Sequence, residues 1–137
     1  MNKRTLPIIL SLFALIASSL ACAFGAKLTL SNGRTAFDED GKQPTSVFGP
    51  NDAIYAVADL SNAPVGTVVN SKWYYVSVDG VEPNTLIDEA PITIEEDGFT
   101  GTVHFFFPAD SNWAVGTYGV ELYLNGALIQ TVNYSVQ

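Results

Sequence analysis

The sequence predicts an all-β fold, an antiparallel sandwich of two packed sheets and about seven strands, and three observations point there. Residues 53–60, 99–107 and 117–125 alternate with a period of two, the spacing that puts successive side chains on opposite faces of a strand. Asn125-Gly126, set between two such stretches, is a strong hairpin signal because this dipeptide tolerates the positive φ of a type I′ turn. No stretch carries an amphipathic helical period over about twelve residues. One open sheet would leave half of its apolar residues in water, so the strands must pack as two layers.

Ahead of the strands, residues 1–23 read as an export signal. Lys3 and Arg4 form the basic head, residues 6–20 form an apolar stretch too short for a good membrane span, and Ala21 and Ala23 fit an A-x-A cleavage site. Cys22 opens a second route. The string Ser19-Leu20-Ala21-Cys22 resembles a lipobox, with Ser19 standing where leucine is usual, and cleavage before Cys22 would leave it as the lipidated terminus. Cleavage after Ala23 instead discards the only cysteine. Both routes place residues 24–137 outside the cytoplasm, as one secreted, periplasmic or cell-surface domain, and neither allows an intramolecular disulfide.

The strands follow in order. Residues 26–31 alternate briefly, and Asn32-Gly33 marks a turn or bulge before residues 35–37. Residues 37–50 hold Pro44, Pro50, Gly41 and an acidic run, and are expected to form a long loop. In residues 53–60, Ile54, Ala56, Ala58 and Leu60 share one face, with Tyr55, Val57 and Asp59 on the other. Pro64 and Gly66 break the chain before Val68 and Val69. Residues 72–79 are rich in aromatic and β-branched side chains and end at Asp79-Gly80. Pro91 interrupts residues 86–96, where Ile92 and Ile94 suggest a short edge strand. Residues 99–107 place Val103, Phe105 and Phe107 opposite His104 and Phe106. In residues 117–125, Tyr118, Val120, Leu122 and Leu124 oppose Gly119, Glu121 and Tyr123. The last strand, residues 128–136, alternates through Val132, Tyr134 and Val136.

Charge limits the partners. All fourteen acidic residues lie beyond the signal, against Lys27, Arg34, Lys42 and Lys72, which gives the exported domain a net charge of about −10. Such a surface repels phosphate backbones and anionic membranes, which excludes nucleic acid and leaves membrane contact only to a lipid on Cys22. Catalytic constellations are missing. His104 is the only histidine, no serine sits in a G-x-S-x-G setting, and the glycines form no phosphate loop. The acidic strings Asp38-Glu39-Asp40-Gly41 and Glu95-Glu96-Asp97-Gly98 offer weak calcium candidates in Asp38, Asp40, Glu95 and Asp97, without the spacing of an EF-hand. No other cofactor is implied.

Three placed features carry a family resemblance. Trp73 falls early in the third main strand, Gly116-Thr117-Tyr118 resembles a tyrosine corner opening the penultimate strand, and Asn125-Gly126 joins the final pair. Over residues 26–137 the pattern resembles the immunoglobulin-like superfamily, as found in bacterial extracellular accessory domains. The absence of the paired cysteines points to cysteine-free, fibronectin-like or chaperone-like members. The resemblance implies a non-catalytic adhesion, assembly or accessory domain that binds a protein at the cell envelope. A carbohydrate-binding module and a calcium-stabilised structural component are the alternatives. The aromatic residues are too many to be buried by alternation alone, so some rings should face solvent. Tyr123 is expected outward, on the same sheet as whichever of Tyr74 and Tyr75 faces out, and these three are the binding candidates for a protein or a glycan.

Overall fold

A computed structural model describes residues 27–137. The export signal and Cys22 lie outside the described residues. Among the described residues, eight strands run in chain order: β1 (Thr29–Ala36), β2 (Val47–Phe48), β3 (Ile54–Ala63), β4 (Val68–Val78), β5 (Thr85–Thr93), β6 (Phe99–Phe107), β7 (Gly116–Leu124) and β8 (Ala127–Val136). They form a three-stranded sheet, β1-β3-β6, and a five-stranded sheet, β2-β8-β7-β4-β5. All pairings are antiparallel except that of β2 with β8. The described residues therefore form the expected all-β sandwich of two packed sheets.

The period-two pattern fixes which faces meet. Ile54, Ala56, Ala58 and Leu60 of β3 and Val103 and Phe105 of β6 pack against Val69 and Trp73 of β4, Tyr118, Val120 and Leu122 of β7, and Tyr134 and Val136 of β8. Trp73 is 2% exposed, and its indole N–H donates to the Ser71 hydroxyl at 3.1 Å. Truncating such a side chain to alanine typically costs about 3–5 kcal/mol. Much of the aromatic surplus is absorbed here. Phe107 lies edge-on to Trp73 at 4.9 Å and to Trp113 at 5.0 Å, and Trp113 in turn lies edge-on to Tyr118 at 4.9 Å. The hairpin between β7 and β8 turns at Asn125 and Gly126, with φ of 47° and 85°, as a type I′ turn requires.

Three segments differ from the sequence expectation. The 37–50 loop contains β2, whose two residues pair with Ser135 and Val136, together with a bridge from Pro44 to Ala36. β4 begins at Val68 because Val69 and Ser71 keep the inward parity that Trp73 continues. β5 runs nine residues through Pro91, which is tolerated because, among the described residues, β5 pairs only with β4 and lies at the sheet edge.

The two long sides of the sandwich are finished differently. On one side, Gln130 of β8 reaches the bulge in β1 and binds the Gly33 backbone twice: its Oε1 accepts from the Gly33 N–H at 2.8 Å and its Nε2 donates to the Gly33 carbonyl at 2.9 Å. That seam is closed. On the other side the edges of β5 and β6 face each other across a slot of about 280 Å³ with Trp73 among its lining residues.

Candidate functional site

Parity along β4 separates the two tyrosine candidates. With Trp73 inward, Tyr74 faces out and Tyr75 faces in, where it packs on the core with its ring 5.6 Å from that of Tyr118. Tyr75 is therefore half-buried against the core and not on the outer face with Tyr74. Tyr123 is half-buried on the outer face of the same sheet as Tyr74. Its hydroxyl donates to Glu121 Oε1 at 3.0 Å, and Lys72 Nζ stands 4.9 Å from its ring centroid. The register explains the cluster, since Lys72 lies opposite Glu121 on one side and Glu89 on the other.

Both tyrosine hydroxyls hold their protons more tightly than a free phenol. For both, the leading cause is desolvation, and the neighbouring Glu121 carboxylate adds to it, through its hydrogen bond in the case of Tyr123. Below this cluster the outer face is hollowed into an open groove of about 450 Å³. Tyr74, Val76, Asn84, Glu121, Thr131 and Asn133 line it together with Gly119.

A second exposed aromatic group lies on the outer face of the three-stranded sheet. Tyr55 and Phe106 stack at 5.3 Å and 18°, and His104 tilts against both at 5.9 and 6.2 Å. Phe106 is 53% exposed. Alternation puts Phe106 and His104 on one face of β6, but their assembly with Tyr55 requires the β3 register, which pairs Tyr55 with Phe106. Sequence reasoning missed this group because that register is not a local property.

β6 is also an edge. Among the described residues it pairs with β3 alone, so every second residue turns its N–H and C=O away from the sheet. Its nine residues include no Lys, Arg, Asp, Glu or Pro. The other edges carry the usual protection: Asp88, Glu89 and Pro91 on β5, a bulge and the Gln130 clasp on β1, and a length of two residues on β2.

The acidic turns are organised by protein groups. The Asp38 carboxylate accepts from the Gln43 and Lys42 backbone N–H groups at 2.8 and 3.0 Å. Desolvation works against these bonds, and the net effect keeps its pKa below the ordinary value. Arg34 fastens the same loop, donating to the carbonyls of Gly41, Asp40 and Asn32 and to Asp59 Oδ1. Asp97 Oδ1 accepts from the Val65 N–H. Among the described residues, no group of three or more His, Cys, Asp or Glu side chains is placed to hold a metal, so Asp38, Asp40, Glu95 and Asp97 are not brought together as a calcium site.

No protein-family model and no curated protein matches the sequence. Solved structures do match the fold. The chain is similar to part of an alkylpurine DNA glycosylase, AlkC, from Pseudomonas fluorescens bound to DNA containing an abasic site analog, with a TM-score of 0.54 and 14% identity over 82% of this chain and 31% of that one. It is also similar to part of a beta-glucosidase from Listeria innocua in complex with laminaribiose, with a TM-score of 0.52 and 11% identity over 82% of this chain and 16% of that one. The chain thus spans under a third of the length of either protein, and at these identities the likeness establishes the sandwich fold alone.

Proposed function

We propose that this chain is a non-catalytic, immunoglobulin-like binding module of the bacterial cell envelope or secreted space, serving adhesion, assembly or an accessory role by accepting an extended strand of a protein partner along β6. The observation that carries this reading is the β6 edge: long, uncharged, unpaired among the described residues and bordered by the exposed Phe106 ring. Soluble proteins normally blunt such an edge because it is a template for another strand. Strand addition supplies affinity through main-chain hydrogen bonds and specificity through alternate side chains. Here one set of side chains would enter the slot beside Trp73, Asp88 and Glu89, where a basic residue is favoured, and the other would lie on Phe106. The export signal at residues 1–23 supports the location, with membrane attachment only through a lipid on Cys22.

Hydrogen exchange tests it. Extended peptides that alternate apolar residues and carry one Lys or Arg should protect amides of β6, and Thr102→Lys, which puts a charge on the edge, should abolish both binding and protection. Protection elsewhere, or binding indifferent to Thr102→Lys, would overturn the proposal. His104→Gln should leave peptide affinity within a few-fold; a hydrolytic activity lost on that substitution with the fold intact would overturn the non-catalytic reading.

A further inference from the structure

Gly119 stands on the outer face of β7, opposite Tyr74. It lies in the middle of β7, paired on both sides, where glycine weakens a strand and marks a bulge or the close approach of a ligand or another backbone; β4 bulges beside it, between Tyr75 and Ser77. Its φ is not positive, so no backbone strain demands it. A Cβ there would meet Asn133 Oδ1 at 3.1 Å, Val76 Cγ2 at 3.4 Å and the Val132 carbonyl oxygen at 3.9 Å. The closest of these belongs to a flexible, exposed side chain. Tyr74, its cross-strand partner, is not among these nearest atoms, so the ring is not simply roofing the glycine. What the missing Cβ does provide is depth: Gly119 forms the floor of the groove on the outer face of the five-stranded sheet.

We infer that this groove is a binding site for a neutral pyranose, independent of the β6 edge on the opposite sheet. Its volume of about 450 Å³ falls within the usual range of small-ligand sites. Tyr74 contributes an aromatic ring to the lining, and such a ring suits the C–H face of a sugar. Glu121 accepts hydrogen bonds, Thr131 donates and accepts, and the Asn84 and Asn133 amides do both, a set matched to ring hydroxyls. The chain's net charge of −8 and the Glu121 carboxylate in the wall disfavour an anionic sugar.

The test is titration of the exported protein with neutral gluco-, manno-, galacto- and N-acetylglucosamine oligosaccharides, followed by amide NMR. At least one series should saturably shift the resonances of Gly119, Glu121, Thr131 and Asn133. Gly119→Val, which fills the floor with a strand-favouring residue, and Tyr74→Ala should each weaken binding by at least about tenfold, whereas Thr102→Lys in β6 leaves it unchanged. If Gly119→Val fails to fold, Glu121→Gln decides, with the same loss expected. Absence of shifts at these amides, wild-type binding by the folded Gly119→Val protein or by Glu121→Gln, or tighter binding of a uronic acid oligomer would overturn the inference.

Discussion

The Tyr118 hydroxyl donates a 2.6 Å hydrogen bond to the Ala114 carbonyl, four residues back in the connection that leads into β7. Tyr118 is fully buried, and this bond ties the incoming loop to the strand as a tyrosine corner does. Removing only the hydroxyl with Tyr118→Phe leaves that carbonyl without the bond. The expected cost is about 0.5–1.5 kcal/mol, read as a lower urea midpoint at unchanged slope.

Tyr134 sits beside it with the opposite expectation. Its ring stacks on Tyr118 at 5.4 Å and 12°, yet its buried hydroxyl has no hydrogen-bond partner among the described residues. Desolvation, followed by the neighbouring Tyr118 and Tyr75, pushes its pKa far up, so it stays neutral. A buried, unsatisfied polar group costs about 1–3 kcal/mol. Tyr134→Phe removes that cost while keeping the stacked ring, so stability should hold or rise by about 1 kcal/mol. A loss matching that of Tyr118→Phe, measured in the same urea titration, would show that the Tyr134 hydroxyl is satisfied after all.

These two tyrosines also mark what the sequence makes legible. The corner and the Asn125-Gly126 turn depend on residues adjacent in the chain, and Trp73, Tyr118 and Val120 follow from local alternation. The inward turn of Tyr75 was within reach of the same parity, counted from Trp73. Other features depend on pairs far apart. β2 is too short to show a period and exists because Val47 and Phe48 meet Ser135 and Val136. The Tyr55–Phe106 stack and the Gln130–Gly33 clasp likewise require a register that no local pattern specifies. The groove was hidden for another reason: its main determinant, Gly119, contributes no side chain.

Asp59 gives the stability a pH dependence with a definite sign. Its pKa is lowered below 3.8, first by the Asn32 amide and then by Arg34, with desolvation opposing. A carboxylate with a depressed folded-state pKa contributes stability above its unfolded value, and that contribution is lost as pH falls through the folded value. The side chain is 42% exposed, so solvent screening keeps the contribution modest. Between about pH 6 and pH 2.5 the urea midpoint should fall, and it should fall less in Asp59→Asn. Some acid sensitivity should remain in that variant, because Asp38 also has a lowered pKa and keeps its bonds to Lys42 and Gln43.

The closed seam provides the sharpest packing test. A Cβ on Gly33 would stand 2.6 Å from Gln130 Oε1 and 2.9 Å from Leu122 Cδ1, so Gly33→Ala must displace the clasp and press on the core. Gln130→Ala alone removes two hydrogen bonds and should cost about 1–3 kcal/mol. In that background the polar clash has gone and only the Leu122 contact remains, so adding Gly33→Ala should cost less than it does in the wild type. The double variant should therefore fall short of the sum of the single variants by about 0.5–3 kcal/mol, the range for residues in direct contact. Strict additivity in a double-mutant cycle by urea unfolding would mean that Gln130 and Gly33 are not coupled and that the clasp does not hold β1 to β8.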